Sequence, residues 1–281
     1  VTVPAALPEA LQASADRVAA AIGPQARLGV AFSGGVDSSV LLALAARALG
    51  PEGTLALLGV SPSLAADERA DAHRIAAGIG VPLVEVATFE MDDPAYRANA
   101  ADRCFHCKDE LFTRITDGVA AEHGLTAVAY GENADDARRP DRPGSAAARD
   151  HAVLRPLADA GLDKAAVRAM ARALGLPNAD KPAAPCLASR IPHHEPVTPE
   201  KLAAVEAAER ALTALGFPER RVRHHGDIAR VELPVADLPR AVTSPVREQL
   251  HDAVRAAGFR FVAIDVAGVQ SGAFTLPLVV R

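Results

Sequence analysis

A chain of 281 residues, 49% hydrophobic and 23% charged, has the size and balance for a full α/β domain plus a smaller one. A formal net charge of −5 with 4% aromatics and no Trp argues against a nonspecific nucleic-acid binder and against base-stacking platforms. No apolar stretch is long enough to span a bilayer, and Val1 to Gln12 lacks the basic and long apolar segments of a signal peptide, so no membrane partner and a cytoplasmic setting are expected.

In chain order, Pro8 to Ile22 reads as an amphipathic helix and Arg27 to Phe32 as a buried strand. Ser33-Gly34-Gly35-Val36-Asp37-Ser38-Ser39 follows, and Asp37 to Leu49 reads as the helix that carries this loop. Strand, glycine loop and helix N-terminus make an anion cradle, because unpaired N–H groups and a positive dipole end converge where no Cβ intrudes. Asp37 would repel a bare phosphate, but suits a site where a divalent cation bridges the two. The string is not the Walker pattern, which needs a Lys before its Ser/Thr.

Thr54 to Val60 is a second apolar run, ended by the turn Ser61-Pro62-Ser63. Ala65 to Ile79 is predicted helical with Gly80 as its stop, Val81 to Ala87 a third strand, and Asp92-Asp93-Pro94 a break. Cys107 to Glu122 is predicted helical and Ala127 to Tyr130 a fourth strand. Such alternation implies a parallel sheet with helices on both faces and ligands at the carboxyl ends of its strands, where Ser33, Ser61 and Gly131 would lie.

Residues 131 to 151 read as a long irregular loop, and Asp163 to Leu174 as a helix. The prolines between Lys181 and Pro192 argue against regular structure there. From about Thr198 the predicted elements are a helix (Pro199 to Leu215), a strand around Arg221-Val222-Arg223, a strand (Ala229 to Leu233), a helix (Ser244 to Ala257) and a strand (Phe261 to Val266). Two domains are expected, 1–195 and a small α+β domain over 196–281.

Three cysteines stand out: Cys104 and Cys107 in a Cys-x-x-Cys, and Cys186 in the proline-rich loop. The pattern is open to a redox pair, to zinc completed by His106, His193 or His194, and to a cubane cluster held by three thiolates with one iron open. Cys186 as a mere apolar filler is disfavoured, since its neighbours are Lys181, Ser189 and Arg190.

The glycine loop, Arg103-Cys104-x-x-Cys107-Lys108, Gly131-x-Asn133-x-Asp135-Asp136, Lys181-Pro182-Ala183-x-x-Cys186-Leu187-x-Ser189-Arg190-Ile191-Pro192 and Arg221-Val222-Arg223-x-x-Gly226 occur in this order. The first resembles the PP-loop of ATP pyrophosphatases, and the set from about Arg27 to Glu232 resembles the LarE family of ATP-dependent sulfur insertases. The resemblance implies a Rossmann-like parallel sheet of the adenine nucleotide alpha hydrolase type with a smaller C-terminal α+β domain.

It further implies adenylylation of a carboxylate of pyridinium-3,5-biscarboxylic acid mononucleotide and its conversion to a thiocarboxylate of the nickel-pincer nucleotide cofactor. ATP would be held by Ser33, Gly34, Gly35, Asp37, Ser38, Ser39, Ser61 and Gly131, with Mg²⁺ on Asp37. Cys104, Cys107 and Cys186 would hold a [4Fe–4S] cluster, the three-cysteine pattern, with sacrifice of the Cys186 sulfur as the other route. Arg221 and Arg223 would take the substrate's 5′-phosphate. Ser189 and Arg190 would orient substrate beside Cys186, and Glu132 and Asp136 would assist metal or nucleotide. His224 and His225 receive no role. Relatives assemble as homo-oligomers. A tRNA thiolase is the competing enzyme and a non-catalytic adenine-nucleotide binding module the competing class.

Overall fold

The computed structural model describes residues 7–139 and 143–270. The chain divides into two compact units: the residues up to Glu90 with Cys104–Ala184, and Met91–Arg103 with the residues from Pro185 onward.

The first unit is built on four parallel strands, β1 (Leu28–Ala31), β2 (Thr54–Val60), β3 (Leu83–Ala87) and β4 (Ala127–Tyr130), in the order β3-β2-β1-β4. Leu28 of β1 stands beside Thr54 on one side and Ala127 on the other. Period-two alternation sends Leu28, Val30, Ala56, Leu58 and Ala129 to one face. There they meet α1 (Glu9–Ile22), α2 (Val36–Leu49), α3 (Ala66–Ile79) and the Lys164–Ala173 helix, through residues such as Val18, Leu41, Ile75 and Met170. Leu55, Leu57, Val86 and Tyr130 face the other way, onto Phe112 and Ile115. Each fully buried Leu or Ile here contributes about 1.5–3 kcal/mol. This is the doubly wound Rossmann-like sheet expected. β1 lies where the strand order reverses, since the chain runs outward from it through β2 and β3 and returns on its other side as β4.

Element boundaries follow local chemistry. Gly80 ends α3 at φ +86°, in the left-handed region. The Asp163 carboxylate accepts from the Ala166 N–H and starts the Lys164–Ala173 helix.

Three expectations need correction. The helix predicted over Cys107–Glu122 starts at Arg103, and its regular part ends at Arg114; a π turn spans Ile115–Val119, and Ala120–Glu122 returns to α. The stretch 131–151 is not one irregular loop, although 140–142 lie outside the described residues. Asn133 caps a short turn at Ala134–Ala137 by accepting from the Asp136 N–H, and alanine-rich Pro143–Asp150 is helical. Within 181–192, Leu187–Arg190 forms a 3₁₀ turn in a proline-free gap, Ser189 N–H donating to the Cys186 carbonyl.

The second unit has a three-stranded sheet, β5 (Arg221–His225), β6 (Ile228–Glu232) and β7 (Phe261–Ile264). β5 and β6 are antiparallel, pairing Arg221 with Glu232; β6 and β7 are parallel. Buried Leu202, Val205 and Leu212 of the Pro199–Ala214 helix, with Leu250 and Val254 of the Val246–Ala256 helix, supply apolar contacts. Met91–Arg103 joins this unit through buried Asn99, whose amide donates to the carbonyls of Ile191, Pro192 and Glu195. No helix among the described residues is long and apolar enough to cross a membrane; Val1 to Ala6 of the N-terminal segment read above lie outside them.

Candidate active site

The glycine loop leaves the end of β1 and turns into α2 at the point where the strand order reverses. Gly34 has φ +71°, and a Cβ on it would press against the Ala72 backbone of α3. Gly35 is the N-cap, and its carbonyl accepts from both the Ser38 hydroxyl (3.0 Å) and the Ser39 hydroxyl (2.9 Å). Ser33 is exposed, and its N–H donates to Ser38 Oγ at 3.3 Å. The loop is thus folded on itself, with its first-turn N–H groups at a helix start.

Asn178 braces it from beneath. This amide is 4% exposed and donates to the Gly34 carbonyl (2.8 Å) and to Ser39 Oγ (2.9 Å). The Gly34 carbonyl can only accept, so the amide nitrogen must face it. Asn178 Oδ1 is then buried without a hydrogen-bond partner. Nearby, Lys181 Nζ binds Glu68 (2.8 Å) and Asp71 (2.9 Å) of α3. Burial lowers the Lys181 pKa, but the two carboxylates outweigh it and hold the ammonium above its usual value.

Asp37 is the centre of a polar network across the switch point. Its Oδ1 accepts from Asn133 Nδ2 (3.2 Å), which also donates to Asp136 (3.0 Å). Its Oδ2 accepts from Lys164 Nζ at 2.5 Å. Gly131 passes so close to the start of α2 that a Cβ would stand 2.7 Å from the Ser38 nitrogen. Asp37 and Asp136 carry hard carboxylate oxygens of the kind Mg²⁺ takes, with substrate phosphates expected to fill the remaining positions, while Asn133 turns its amide nitrogen to both.

Two other carboxylates near this sheet edge, Glu90 and Glu132, are each hydrogen-bonded through one oxygen only. Ser61 donates to buried Glu90 at 2.5 Å, and the second Glu90 oxygen has no hydrogen-bond partner. Glu132 is 3% exposed, accepts from Ser145 and lies 3.7 Å from Arg155. Burial, then the adjacent Glu132, hold the Tyr130 phenol well above its usual pKa. Lys108 lies over the Tyr130 ring, 4.4 Å from its centroid.

All three cysteines are thiols. Cys104 and Cys107 sit three residues apart in the first turn of the Arg103–Arg114 helix, and therefore on one face. Cys104 is exposed and Cys107 half-buried. Cys186, in the second unit, is exposed just before the 3₁₀ turn. Among the described residues no three His, Cys, Asp or Glu side chains of either unit are gathered as a metal nest.

In the second unit Arg190, Arg221 and Arg223 are all buried, each countered by carboxylates nearby. The Arg190 fork grips Glu209 through Nε (2.9 Å) and Nη2 (3.1 Å), and its Nη1 reaches Ser189 Oγ (3.0 Å) and the Pro185 carbonyl (2.5 Å). The Arg223 fork grips Glu232 through two 2.9 Å bonds, with Nη1 on the Ser189 carbonyl (3.0 Å). Arg221 donates to the Gln270 carbonyl (2.5 Å). Burial, then the charges of Arg223 and Arg190, depress the Arg221 pKa. Such crowding of like charge favours an incoming anion. Arg103 ties this region to Met91–Arg103 by donating to Asn99 (2.5 Å) and the Ala188 carbonyl (2.9 Å). His224 packs on Phe259 with ring centroids 5.3 Å apart, and Arg230 donates to His225 at 3.2 Å. Burial lowers the pKa of both histidines.

Sequence reasoning named the loop, Gly131, the cysteines and the arginines. It missed Lys164, Asn178, Glu90, Glu209 and Glu232. Glu232 pairs with Arg221 in register, so an acidic residue across a predicted hairpin was the available signal. Asn178 and Lys164 carry no local signal.

Residues 9–136 match the asparagine synthase family. The chain is 40% identical over 243 residues to an uncharacterized protein of Synechocystis sp. strain PCC 6803, covering 86% of this chain and 90% of that protein. It is 34% identical over 253 residues to the pyridinium-3,5-bisthiocarboxylic acid mononucleotide synthase of Lactiplantibacillus plantarum, covering 90% of each.

Proposed function

This chain belongs to the LarE family of PP-loop enzymes, and from that premise we propose that it is an ATP-dependent sulfur transferase acting on a pyridinium biscarboxylate mononucleotide. The observation that carries this reading is the convergence on Asp37. The glycine loop after β1 and the Asn133–Asp136 segment after β4 meet there at the switch point, where doubly wound sheets take nucleotides.

A carboxylate oxygen is a poor leaving group, and adenylylation repairs that. A substrate carboxylate attacks the α-phosphorus of ATP, pyrophosphate departs, and an acyl-adenylate forms. A sulfur nucleophile then attacks the carbonyl carbon and AMP leaves, giving the thiocarboxylate. The first-turn N–H groups of α2 and exposed Ser33 would face the charge that develops on the departing pyrophosphate, while Ser38 and Ser39, bonded to the Gly35 carbonyl, would hold the loop in shape around it. Ser61 and Gly131 flank the nucleotide. Asp37 would hold Mg²⁺, with Asp136 close by, and the ion would neutralise phosphate charge.

Cys104, Cys107 and Cys186 would hold a [4Fe–4S] cluster, which would supply the sulfur. Arg221 is the guanidinium for the substrate's 5′-phosphate. Arg223 and Arg190, fixed by Glu232 and Glu209, add charge and hold Ser189 beside Cys186. Glu132, held by Ser145, would assist the metal or the nucleotide from the end of β4. The protein is expected to work in the cytoplasm as a homo-oligomer.

The test is anaerobic pyrophosphate release from ATP and Mg²⁺, with the pyridinium biscarboxylate mononucleotide in one reaction and bulk tRNA in another. Release with the mononucleotide alone is expected; release with tRNA instead overturns the substrate assignment. Iron and labile sulfide bound after anaerobic reconstitution, and lost in Cys104→Ser, test the cluster. A protein that stays iron-free yet transfers sulfur overturns that part.

A further inference from the structure

Lys164 is the first residue of the Lys164–Ala173 helix, where a positive charge opposes the helix dipole. The helix gains nothing from an ammonium there. Its backbone is nonetheless fixed: Lys164 N–H donates to Asp135 (2.9 Å), and Ala134 N–H donates to the Leu162 carbonyl (2.7 Å). These bonds set the side chain beside the glycine loop, and its Nζ sits 2.5 Å from Asp37 Oδ2. The ammonium therefore occupies the carboxylate oxygen that a divalent cation would need, while Asn133 occupies the other.

We propose that Lys164 is the resident counter-ion of Asp37. It keeps the carboxylate charged and oriented before the nucleotide arrives, then yields it to the cation and turns to the polyphosphate oxygens. Its side chain is 40% exposed, which leaves it room to swing. The swap keeps charge balanced throughout, because a cation faces Asp37 at each stage and the released ammonium meets the anion that arrives with the metal. Lys164 is thus both a competitor of the metal and a contact for the departing pyrophosphate. The inference rests on the assignment of Asp37 as the metal carboxylate.

A merely structural ion pair and a counter-ion differ in sign. If Lys164 only steadies Asp37, its removal should weaken metal binding. If it competes, removal should strengthen it. The protein and its Lys164→Met, Lys164→Gln and Asp37→Asn variants are titrated with Mn²⁺ in the absence of nucleotide, so that loss of the Lys164 contact to polyphosphate does not enter, reading free Mn²⁺ by electron paramagnetic resonance. Pyrophosphate release is measured alongside, with thermal melting to confirm folding.

Lys164→Met should tighten Mn²⁺ binding about two- to fivefold, the weight of a part-exposed ion pair. Its turnover for pyrophosphate release should fall by about 100-fold, as for loss of one charge-stabilising donor. Lys164→Gln should behave alike, and it decides the matter if the methionine variant does not fold. Unchanged or weaker Mn²⁺ binding in both variants overturns the proposal. If Asp37→Asn binds Mn²⁺ as the unaltered protein does, the assignment of Asp37 fails instead, and the two failures are told apart.

Discussion

Gly131 lies against the backbone of Ser38: a Cβ on the glycine would stand 2.7 Å from the Ser38 nitrogen and 2.9 Å from its Cα. The end of β4 and the start of α2 are thus locked together through a position that tolerates no side chain. Backbone cannot step aside as the tip of a flexible side chain can. Gly131→Ala should push the glycine loop out of place, costing about 1–3 kcal/mol of stability and about tenfold to a hundredfold in pyrophosphate release. Gly78→Ala is the control. That glycine is inside α3 with nothing within 4 Å of its would-be Cβ, so alanine should stabilise by about 0.5–1 kcal/mol and leave release unchanged. Melting curves and release rates of the two variants check both directions; equal behaviour would sink the close-contact account.

Asn178→Ala removes two hydrogen bonds to the loop but also removes a buried acceptor that has no partner. These offset in part, so the stability loss should be only about 1 kcal/mol. The KM for ATP should rise more than that suggests, since Gly34 and Ser39 lose their shared brace. Asn178→Asp should be worse, because it turns a carboxylate oxygen toward the Gly34 carbonyl. ATP saturation curves of both variants decide it; alanine and aspartate behaving alike would mean the amide donates nothing there.

The first unit was largely legible because its signals are local. Short continuous apolar runs gave β1, β2 and β4 to within a residue or two, and the Ser-Gly-Gly-x-Asp-Ser string marked the loop. What holds that loop was not legible. Asn178 and Lys164 reach it across 144 and 127 residues of chain, and an Asn or Lys in isolation looks like ordinary surface. Asp92-Asp93-Pro94 likewise read only as a break, yet Asn99 a few residues on donates to three carbonyls some 92 to 96 residues onward, within the second unit. The arginines were found by alternation along β5, but their burial came from Glu209 and Glu232, which only the fold brings beneath them.

Arg221 and Arg223 should therefore separate under mutation. Glu232→Ala leaves the Arg223 charge buried and unpaired, at a cost of about 3–5 kcal/mol, and the second unit should melt early. Arg221→Gln removes a guanidinium already under strain from its neighbours, so it should leave the melting temperature nearly unchanged or raise it slightly. Affinity for the phosphate-bearing substrate should drop about tenfold or more with the charged hydrogen bond lost. Calorimetry with and without the mononucleotide reads both. If Arg221→Gln binds substrate normally while Arg223→Gln folds and does not bind, the phosphate belongs to Arg223.

On the outer side of the first unit, Glu85 of β3 accepts from Arg69 at 2.6 and 2.5 Å and lies 2.7 Å from His73. The Arg69 hydrogen bonds, then His73, lower its pKa from the usual 4.5 to about 2. A carboxylate depressed by folding favours the folded state above its unfolded pKa. That contribution is complete above pH 4.5 and is lost as the pH falls toward 2. These side chains are largely in water, which screens the contribution of each pair. Urea unfolding of the unaltered protein and Glu85→Gln should differ at pH 5, converge between pH 4.5 and 2, and coincide below that. Curves that stay parallel down to pH 2 would show that the cluster contributes nothing through the Glu85 charge.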